Sequence, residues 1–313
     1  MPAVDLTDPI FTNEEAARAH FEAIRWPSGR ICPHCGTVDR STLLKGKSTR
    51  PGLYKCNDCL RPFSATIGTI YERSHIPLHK WLLATHLMVS SKKGISSAQL
   101  HRNLGFGSYR TAWFMAHRIR EAMRSDDTTP MGSGGGDVFA DETYFGRNPD
   151  APKSRTPFRN MNQILTLVDR ATGRSVSMVF DGHISAANIM PVLEANIAKE
   201  ARLLTDEAHH YRTPGKAFAA HGSVAHARGE YVSRQDRSIT TNQIEGFFGI
   251  FKRGMRGIYQ HCGKQHLHRY LAEFDFRYTH RQAVGTNDAE RAILAVKGAV
   301  GRRLMYQRCA VAA

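Results

Sequence analysis

The segment Thr241–Arg253 reads TNQIEGFFGIFKR, and its pattern predicts an amphipathic helix. Apolar residues recur at the i, i+4, i+7, i+11 spacing of one helical face, at Ile244, Phe248, Phe251 and Met255. Two helical turns separate Glu245 from Lys252, so both lie on one flank of that face. Asn242 and Gly249 share the flank, and the glycine leaves room for a bulky group. Whether Glu245 only pairs with Lys252 or belongs to a site depends on acidic residues elsewhere.

Two other carboxylates lie in apolar strand patterns. Asp141 is central in the run Val138–Phe145, where a period of two places it on the face opposite Glu142. A carboxylate in an apolar strand is costly unless a charge or a metal meets it. Asp206 ends a second apolar run, and α/β folds place their chemistry at strand ends. Asp141, Asp206 and Glu245 together would offer the oxygen ligands that Mg2+ or Mn2+ prefers, and two such ions can promote phosphodiester displacement.

Local roles for these carboxylates stay open at this point. Asp206 can equally cap a helix that starts at Glu207. Three rival acidic residues are Glu142, Asp169 and Asp181. Asp169 and Asp181 both precede turn residues, which favours local turn roles for them.

Four cysteines form two paired knuckles near the N-terminus. Cys32, Cys35, Cys56 and Cys59 give the spacing C-x2-C-x20-C-x2-C, which predicts a closed, structural Zn2+ site. Disulfides or a redox pair are the alternatives, and the paired spacing disfavours both. Cys262 and Cys309 are isolated and are predicted to be free thiols. Basic residues surround the knuckles, at Lys45, Lys47, Arg50, Lys55 and Arg61, and they indicate either a phosphate-facing ribbon or a solvated surface.

The composition points to a polyanionic partner. The 313 residues include 43 Lys and Arg against 28 Asp and Glu, a formal charge of +15. Nucleic acid is the first candidate and an acidic membrane surface the second. No apolar run of about 18 residues is present to span a bilayer, and the first 13 residues lack the apolar core of a signal peptide. We therefore expect a cytoplasmic protein that does not bind membranes.

A helical module follows the cysteines. Leu78–Val89 predicts one helix, Ser96 is the predicted cap of a second, and Ser108 is a candidate cap of a third. The arrangement is similar to a helix-turn-helix, with a plain helical bundle as the alternative. Basic and aromatic residues on the third helix suit contacts with DNA: Tyr109, Arg110, Trp113, His117, Arg118 and Arg120.

A polar, glycine-rich segment at residues 125–136 predicts a linker, and strand patterns follow it. Strands are predicted at Asp137–Phe145, Asn162–Asp169, Arg174–Phe180 and Ala201–Thr205. A helix is predicted at Ser185–Lys199, with Ser185 as its cap. This order of elements indicates an α/β fold with a mixed sheet.

These motifs, in this order, resemble the zinc-ribbon DDE insertion-sequence transposases of bacteria (ISXO-like transposase domain). The resemblance rests on the cysteine knuckles and on four segments: DETY at 141–144, LTD at 204–206, TNQIEGFF at 241–248 and HLHRYLAEFDFRY at 266–278. It implies an RNase H-like mixed-sheet catalytic domain, preceded by a zinc ribbon and a helix-turn-helix-like module. It also implies catalytic roles for Asp141, Asp206, Glu245 and Lys252. Some relatives differ at the third acidic position, so Asn242 is a secondary candidate there.

The resemblance further implies the partners and the reaction. The ribbon and helical module would bind the terminal inverted repeats, and catalytic Mg2+ or Mn2+ would serve cleavage and strand transfer to target DNA. Joining two ends predicts a homo-oligomer on double-stranded DNA, in the cytoplasm at the nucleoid. A loop containing Arg147, Lys153, Arg155 and Arg159 is either a DNA contact or a solvated segment.

Alternatives to a transposase are an RNase H-like nuclease that cleaves without joining, or a non-catalytic DNA-binding regulator. The predicted domain boundaries are 1–75 for the N-terminal helix and ribbon, 76–124 for the helical module, 125–136 for the linker, 137–285 for the catalytic domain and 286–313 for a C-terminal tail.

Overall fold

A computed structural model describes residues 5–151, 155–180, 182, 184–225, 230, 232–234 and 236–305 of the chain. Lys153, Asp181 and Cys309, which enter the sequence predictions, lie outside these residues. The chain forms two compact units: the first contains residues 1–91, 95–124 and 287–313, and the second contains residues 92–94 and 125–286. In the described ranges, no helix is both long and apolar enough to cross a membrane.

The secondary structure consists of short strands and helices in the first unit and a larger sheet in the second. In chain order the elements are α1 (Glu14–Arg25), β1 (Ser41–Leu43), β2 (Leu53–Cys56), β3 (Pro62–Ser64), α2 (Leu78–Ser90), α3 (Ser97–Asn103), α4 (Tyr109–Ala122), β4 (Asp137–Arg147), β5 (Met161–Asp169), β6 (Ser175–Phe180), α5 (Ala186–Asn196), β7 (Arg202–Asp206), β8 (Ala220–Val224), α6 (Asn242–Gly254), α7 (Lys264–Thr279) and α8 (Asp288–Lys297).

In the first unit, β1, β2 and β3 form an antiparallel sheet beside the helices. The helices begin where the sequence places their caps. Ser96 precedes α3 and its hydroxyl accepts a hydrogen bond from the Gln99 amide at 3.1 Å. The predicted inner stripe of α4 is buried: Ala112, Met115, Ala116 and Ile119.

The expectation that the basic residues of α4 all lie on its surface is wrong for part of the set. His117, Arg118 and Arg120 are 1%, 8% and 0% exposed. The physical reason is that α4 packs against three other helices, α2, α3 and α8, so it has little free surface. Tyr109 and Arg110, at its first turn, are exposed as expected.

The segment predicted as a C-terminal tail contains a helix. Asn287 caps α8 through a capping box with Glu290, and α8 packs against α2. Arg291 is buried and donates to the backbone oxygen of Val89 at 2.9 Å. This return of the chain completes the first unit.

The second unit is built on a five-stranded mixed sheet in the order β6-β5-β4-β7-β8. Strands β6, β5 and β4 are antiparallel neighbours, whereas β4, β7 and β8 run parallel. One face packs against α6 and α7, and the other face packs against α5. Successive side chains of β4 point to opposite faces of the sheet, so Phe139 packs in the core with α6 and α7 and Ala140 packs in the core with α5. The predicted mixed α/β sheet is thus confirmed.

The predicted linker also takes part in the second unit. Its Met131 is 2% exposed and lies in the core that contains α5. The Met131 amide donates to Asn196 at 2.8 Å, and its backbone oxygen accepts from Ala198 at 2.9 Å. The glycines that follow therefore lead directly from a packed residue into β4.

An ion pair fixes the register at the start of β4 and β7. Asp137 and Arg202 are partners in the parallel ladder. Two nitrogens of Arg202 donate to the two carboxylate oxygens of Asp137, at 2.7 and 2.8 Å. Such a two-pronged contact specifies geometry as well as adding energy. Arg170 adds a third hydrogen bond to Asp137 at 2.9 Å.

Candidate active site and metal centre

The strand register brings Asp141 close to Asp206. Ladder partners in β4 and β7 run from Asp137 and Arg202 to Phe139 and Leu204. Two residues further along each strand, the same register reaches Asp141 and Asp206, with both side chains on the face of Phe139 and Leu204. Neighbouring strands lie about 4.8 Å apart, so the two carboxylates face a common space.

Asp206 lies at the end of β7, as predicted. Its Oδ1 accepts a hydrogen bond from the Ala208 amide at 3.0 Å. The alternative of a helix starting at Glu207 is not what the structure has, because a single 3-10 turn begins at His209. The carboxylate therefore closes a turn locally, and its charge acts on Asp141.

Glu245 lies in the first turn of α6, the helix predicted from the opening segment. Its apolar stripe is buried as expected, with Ile244, Phe248, Phe251 and Met255 all in the core against the sheet. Packing of this stripe holds Glu245 near β4. Its Oε1 accepts a hydrogen bond from the Thr241 hydroxyl at 2.8 Å.

The electrostatics identify Asp141 as the centre of the group. Burial, together with the charges of Glu142, Asp206 and Glu245, raises the pKa of Asp141 from 3.8 to about 8. A hydrogen bond from the Glu142 amide to its Oδ1, at 2.7 Å, opposes the shift only in part. The neighbouring carboxylates therefore oppose the ionisation of Asp141 when no cation is bound.

Lys252, in the last turn of α6, lies within the electrostatic range of the same carboxylate. Burial and the charge of Arg256 lower the pKa of Lys252, while the charge of Asp141 acts in the opposite direction. Its ammonium lies 5.9 Å from the centre of the Phe248 ring. Asn242, the secondary candidate, is exposed at the first residue of α6.

The chemistry of this donor set fits a divalent cation. Asp141, Asp206 and Glu245 supply hard oxygen ligands, and the raised pKa of Asp141 reflects repulsion that a cation would relieve. The oxygens of these three carboxylates do not form a closed ligand shell. Among the described residues, only the four cysteines bring three or more ligand atoms within 4.8 Å of one another.

Glu142 points to the other face of β4 and has partners of its own. The Tyr211 hydroxyl donates to it at 2.7 Å, and His210 Nε2 lies 3.2 Å from it. Burial lowers the pKa of His210, but the hydrogen bond to Glu142 and the charges of Glu142, Asp206 and Asp141 outweigh it and raise the pKa. Sequence reasoning missed His210 and Tyr211, although their position just after Asp206 was a usable signal.

The other rival carboxylate of the described chain, Asp169, has the turn role expected of it. It accepts hydrogen bonds from the amides of Gly132, Ala171 and Thr172, at 2.8 to 2.9 Å. Arg147, predicted in a loop, is instead the last residue of β4, where it pairs with Met161. Arg147, Arg155 and Arg159 are exposed, so all three are accessible to a ligand.

The four cysteines form the predicted zinc-type centre. Their sulfurs lie within 4.8 Å of one another, with Cys32 and Cys59 at 3.7 Å and Cys35 and Cys56 at 3.6 Å. Tetrahedral zinc with Zn–S bonds of about 2.3 Å requires sulfur separations of about 3.8 Å. The four thiols therefore match a closed structural zinc site. Every predicted basic neighbour is exposed: Lys45, Lys47, Arg50, Lys55 and Arg61.

Comparison with known proteins agrees with both parts of this description. Residues 134–279 match the ISXO2-like transposase domain, and residues 12–61 match the transposase zinc-ribbon domain. An uncharacterized protein in transposable element ISH50 of Halobacterium salinarum is 27% identical over 287 residues, covering 85% of this chain and 91% of the relative.

A solved structure, the simian T-cell lymphotropic virus intasome in complex with PP2A regulatory subunit B56 gamma, also matches. The match covers 56% of this chain and 63% of that chain, with 13% identity and a TM-score of 0.30. This chain thus spans less than two thirds of that chain, and the similarity is too weak to indicate a fold or a function. The two domain matches, the four-cysteine centre and the mixed sheet lead to one conclusion: the chain combines a transposase zinc-ribbon domain, at residues 12–61, with an ISXO2-like transposase domain, at residues 134–279.

Proposed function

We propose that this chain cleaves DNA at the ends of an insertion sequence and joins the resulting 3'-hydroxyls to target DNA. The observation that supports this most is the placement of Asp141, beside Asp206 through the sheet register and within the electrostatic reach of Glu245. Three carboxylates from a first strand, a later strand end and a helix are the set that the resemblance assigns to catalysis.

In this proposal Asp141, Asp206 and Glu245 hold Mg2+ or Mn2+. Bound there, the ions would favour the attacking oxygen and the departing 3'-oxygen in phosphodiester displacement. In the first step a water oxygen bonds to phosphorus and the 3'-oxygen leaves with the proton that water gives up. In the second step that 3'-oxygen bonds to a target phosphorus, and the target 3'-oxygen departs with the proton that the hydroxyl gives up.

The remaining residues of the flank position DNA. Lys252 would serve as a point charge for a phosphate oxygen, since it is half-buried and within the electrostatic range of Asp141. Asn242 is exposed next to Glu245 and would orient it or hold a water. The buried Thr241 hydroxyl, bonded to Glu245, limits the freedom of that carboxylate.

DNA recognition is assigned to the first unit. Its exposed ribbon lysines and arginines and the exposed start of α4 suit the terminal repeats. Two ends must be brought together for joining, so we propose a homo-oligomer on DNA, acting at the nucleoid.

The test is a cleavage and strand-transfer assay on DNA carrying the sequences that flank this reading frame, with Mg2+ or Mn2+. We expect cut ends and joined products from the wild type and neither from Asp141→Asn. Asp150→Asn, at an exposed carboxylate in the same unit, is the matched control and should remain active. Cutting without joining of pre-cleaved ends would favour the nuclease alternative, and specific end binding without cutting would favour the regulator.

A further inference from the structure

A cavity of about 380 Å³ lies in the first unit, beside the start of α4. Its lining changes from a polar mouth to an apolar interior. His75, Ser108 and Arg110 are exposed at the mouth. Trp81, Met115 and Arg118 are buried at the floor, with Phe114 half-buried between the two.

The floor contains a buried cation with an unused donor. Arg118 is 8% exposed, and its guanidinium lies 5.2 Å from the Trp81 ring centre and 5.8 Å from that of Phe114. One terminal nitrogen donates to the backbone oxygen of Glu72 at 3.0 Å. Its Nε is buried and has no hydrogen-bond partner among the residues that the structure describes. A buried donor of this kind costs free energy unless a ligand accepts from it.

The mouth is suited to an anion. Ser108 is the N-cap of α4 but makes no capping hydrogen bond through its side chain within the described chain. The N-terminus of a 14-residue helix carries partial positive charge and amide donors. Arg110 adds a full positive charge at the same edge.

We propose that this cavity binds one unstacked nucleotide of the DNA that the first unit recognises. The base enters the cavity beside Phe114 and accepts a hydrogen bond from the Arg118 guanidinium through a carbonyl or ring nitrogen. Its phosphate stays at the mouth, against Arg110 and the start of α4. This inference rests on the proposed function only in taking DNA as the partner.

The size and the lining of the cavity exclude a site that binds only a phosphate group. The volume is in the range of about 300–1,000 Å³ that holds small organic ligands, far above the share of about 30 Å³ that one water occupies. Aromatic and thioether walls give a phosphate nothing to bind, whereas a base stacks on them regardless of its sequence. The Arg118 guanidinium at the floor can donate a hydrogen bond only to a ligand group that passes between these walls.

The experiment compares two duplexes of equal length and salt, one with a single unpaired 2-aminopurine nucleotide and one fully paired. We expect the full-length wild type to bind the unpaired duplex about tenfold more tightly, since stacking on an aromatic group contributes at this level per base. The 2-aminopurine fluorescence should change on binding, and thymidine 5'-monophosphate should reverse the change more effectively than inorganic phosphate.

Two variants test the cavity itself. Thr111→Phe places a ring in the cavity from its half-buried wall, and Thr111→Val preserves the volume as the matched control. Arg118→Met removes the donor and keeps the length of the side chain. Thr111→Phe and Arg118→Met should each lose the tenfold preference and keep affinity for the paired duplex, while Thr111→Val should keep both. Zinc content and the unfolding temperature check that each variant is folded.

Equal binding of both duplexes by the wild type, or a preference that survives in folded Thr111→Phe and Arg118→Met, would overturn the inference. Equal displacement by inorganic phosphate would do the same and leave a phosphate contact. If the same preparation cleaves insertion-sequence ends, only this inference has failed. If it neither cleaves nor binds any duplex, the proposed function has failed with it.

Discussion

Replacing Asp141 by Asn should stabilise the protein when no divalent cation other than zinc is present. The pKa of Asp141 is about 8 in the folded chain against 3.8 as an ordinary value, so at pH 7 the folded state keeps this carboxyl largely protonated, at a cost of about 4 kcal/mol relative to the unfolded chain. The side chain is half-buried, and water that enters the site reduces this to about 2 kcal/mol. A neutral amide of the same shape avoids the cost, which corresponds to about 4–8 °C in the unfolding temperature of a unit of this size.

The pH dependence has a defined sign. A carboxyl whose folded pKa is raised favours the folded state below its unfolded pKa, and this advantage is lost as pH rises toward the folded pKa. Wild-type stability should therefore fall between about pH 4 and 8. Asp141→Asn should remove that part of the slope, measured between pH 6 and 8 so that the cysteine thiolates keep their zinc.

The assay is scanning calorimetry in buffer freed of divalent ions by resin, with bound zinc quantified in each sample. All three tryptophans lie in the first unit, so their fluorescence reports separately that the ribbon and helices are folded. Adding Mg2+ should stabilise the wild type and leave Asp141→Asn unchanged. Asp150→Asn is the control, and its free energy of unfolding should change by no more than about 0.5 kcal/mol. A lower unfolding temperature for Asp141→Asn without Mg2+ would refute the reasoning.

Three further predictions concern other parts of the molecule. Cys56→Ser, at a fully buried ligand position, should release zinc and shift Trp26 fluorescence, whereas Cys262→Ser should retain zinc; a ribbon that stays folded without the metal would contradict the assignment. Tyr211→Phe removes the hydroxyl that donates to Glu142 and should cost about 1–2 kcal/mol in urea unfolding; an unchanged midpoint would mean that His210 and water satisfy Glu142 without it. Gly298→Ala should destabilise the first unit by about 1–3 kcal/mol, because its new methyl would lie 2.1 Å from the backbone oxygen of Ala122, and Gly257→Ala, in open space, is the comparison that should show no such clash.

The elements and the zinc ligands were predictable because their signals are local. The stripe of α6, the caps of α3 and α5 and the paired cysteines each depend on residues within a few turns of one another. The alternation of β4 correctly separated Asp141 from Glu142 for the same reason.

The pairings between distant segments were not predictable from one sequence. Nothing local states that Asp137 pairs with Arg202, although this pair sets the register that brings Asp141 to Asp206. The contacts of Glu142 with His210 and Tyr211 depend on the same register. Likewise, the sequence predicts a solvent-exposed basic face on α4, whereas α8, which is distant in sequence, packs against this helix.

The return of α8 to the first unit has a consequence for synthesis. The first unit takes residues from before and after residues 125–286, so the ribosome finishes the second unit before the last helix of the first has emerged. A product truncated by a frameshift or a premature stop before Asn287 would carry every cysteine ligand and every proposed catalytic carboxylate, yet lack the helix against which α2 packs. Such fragments would expose the apolar face of α2 to proteases, so only chains translated nearly to their end would accumulate.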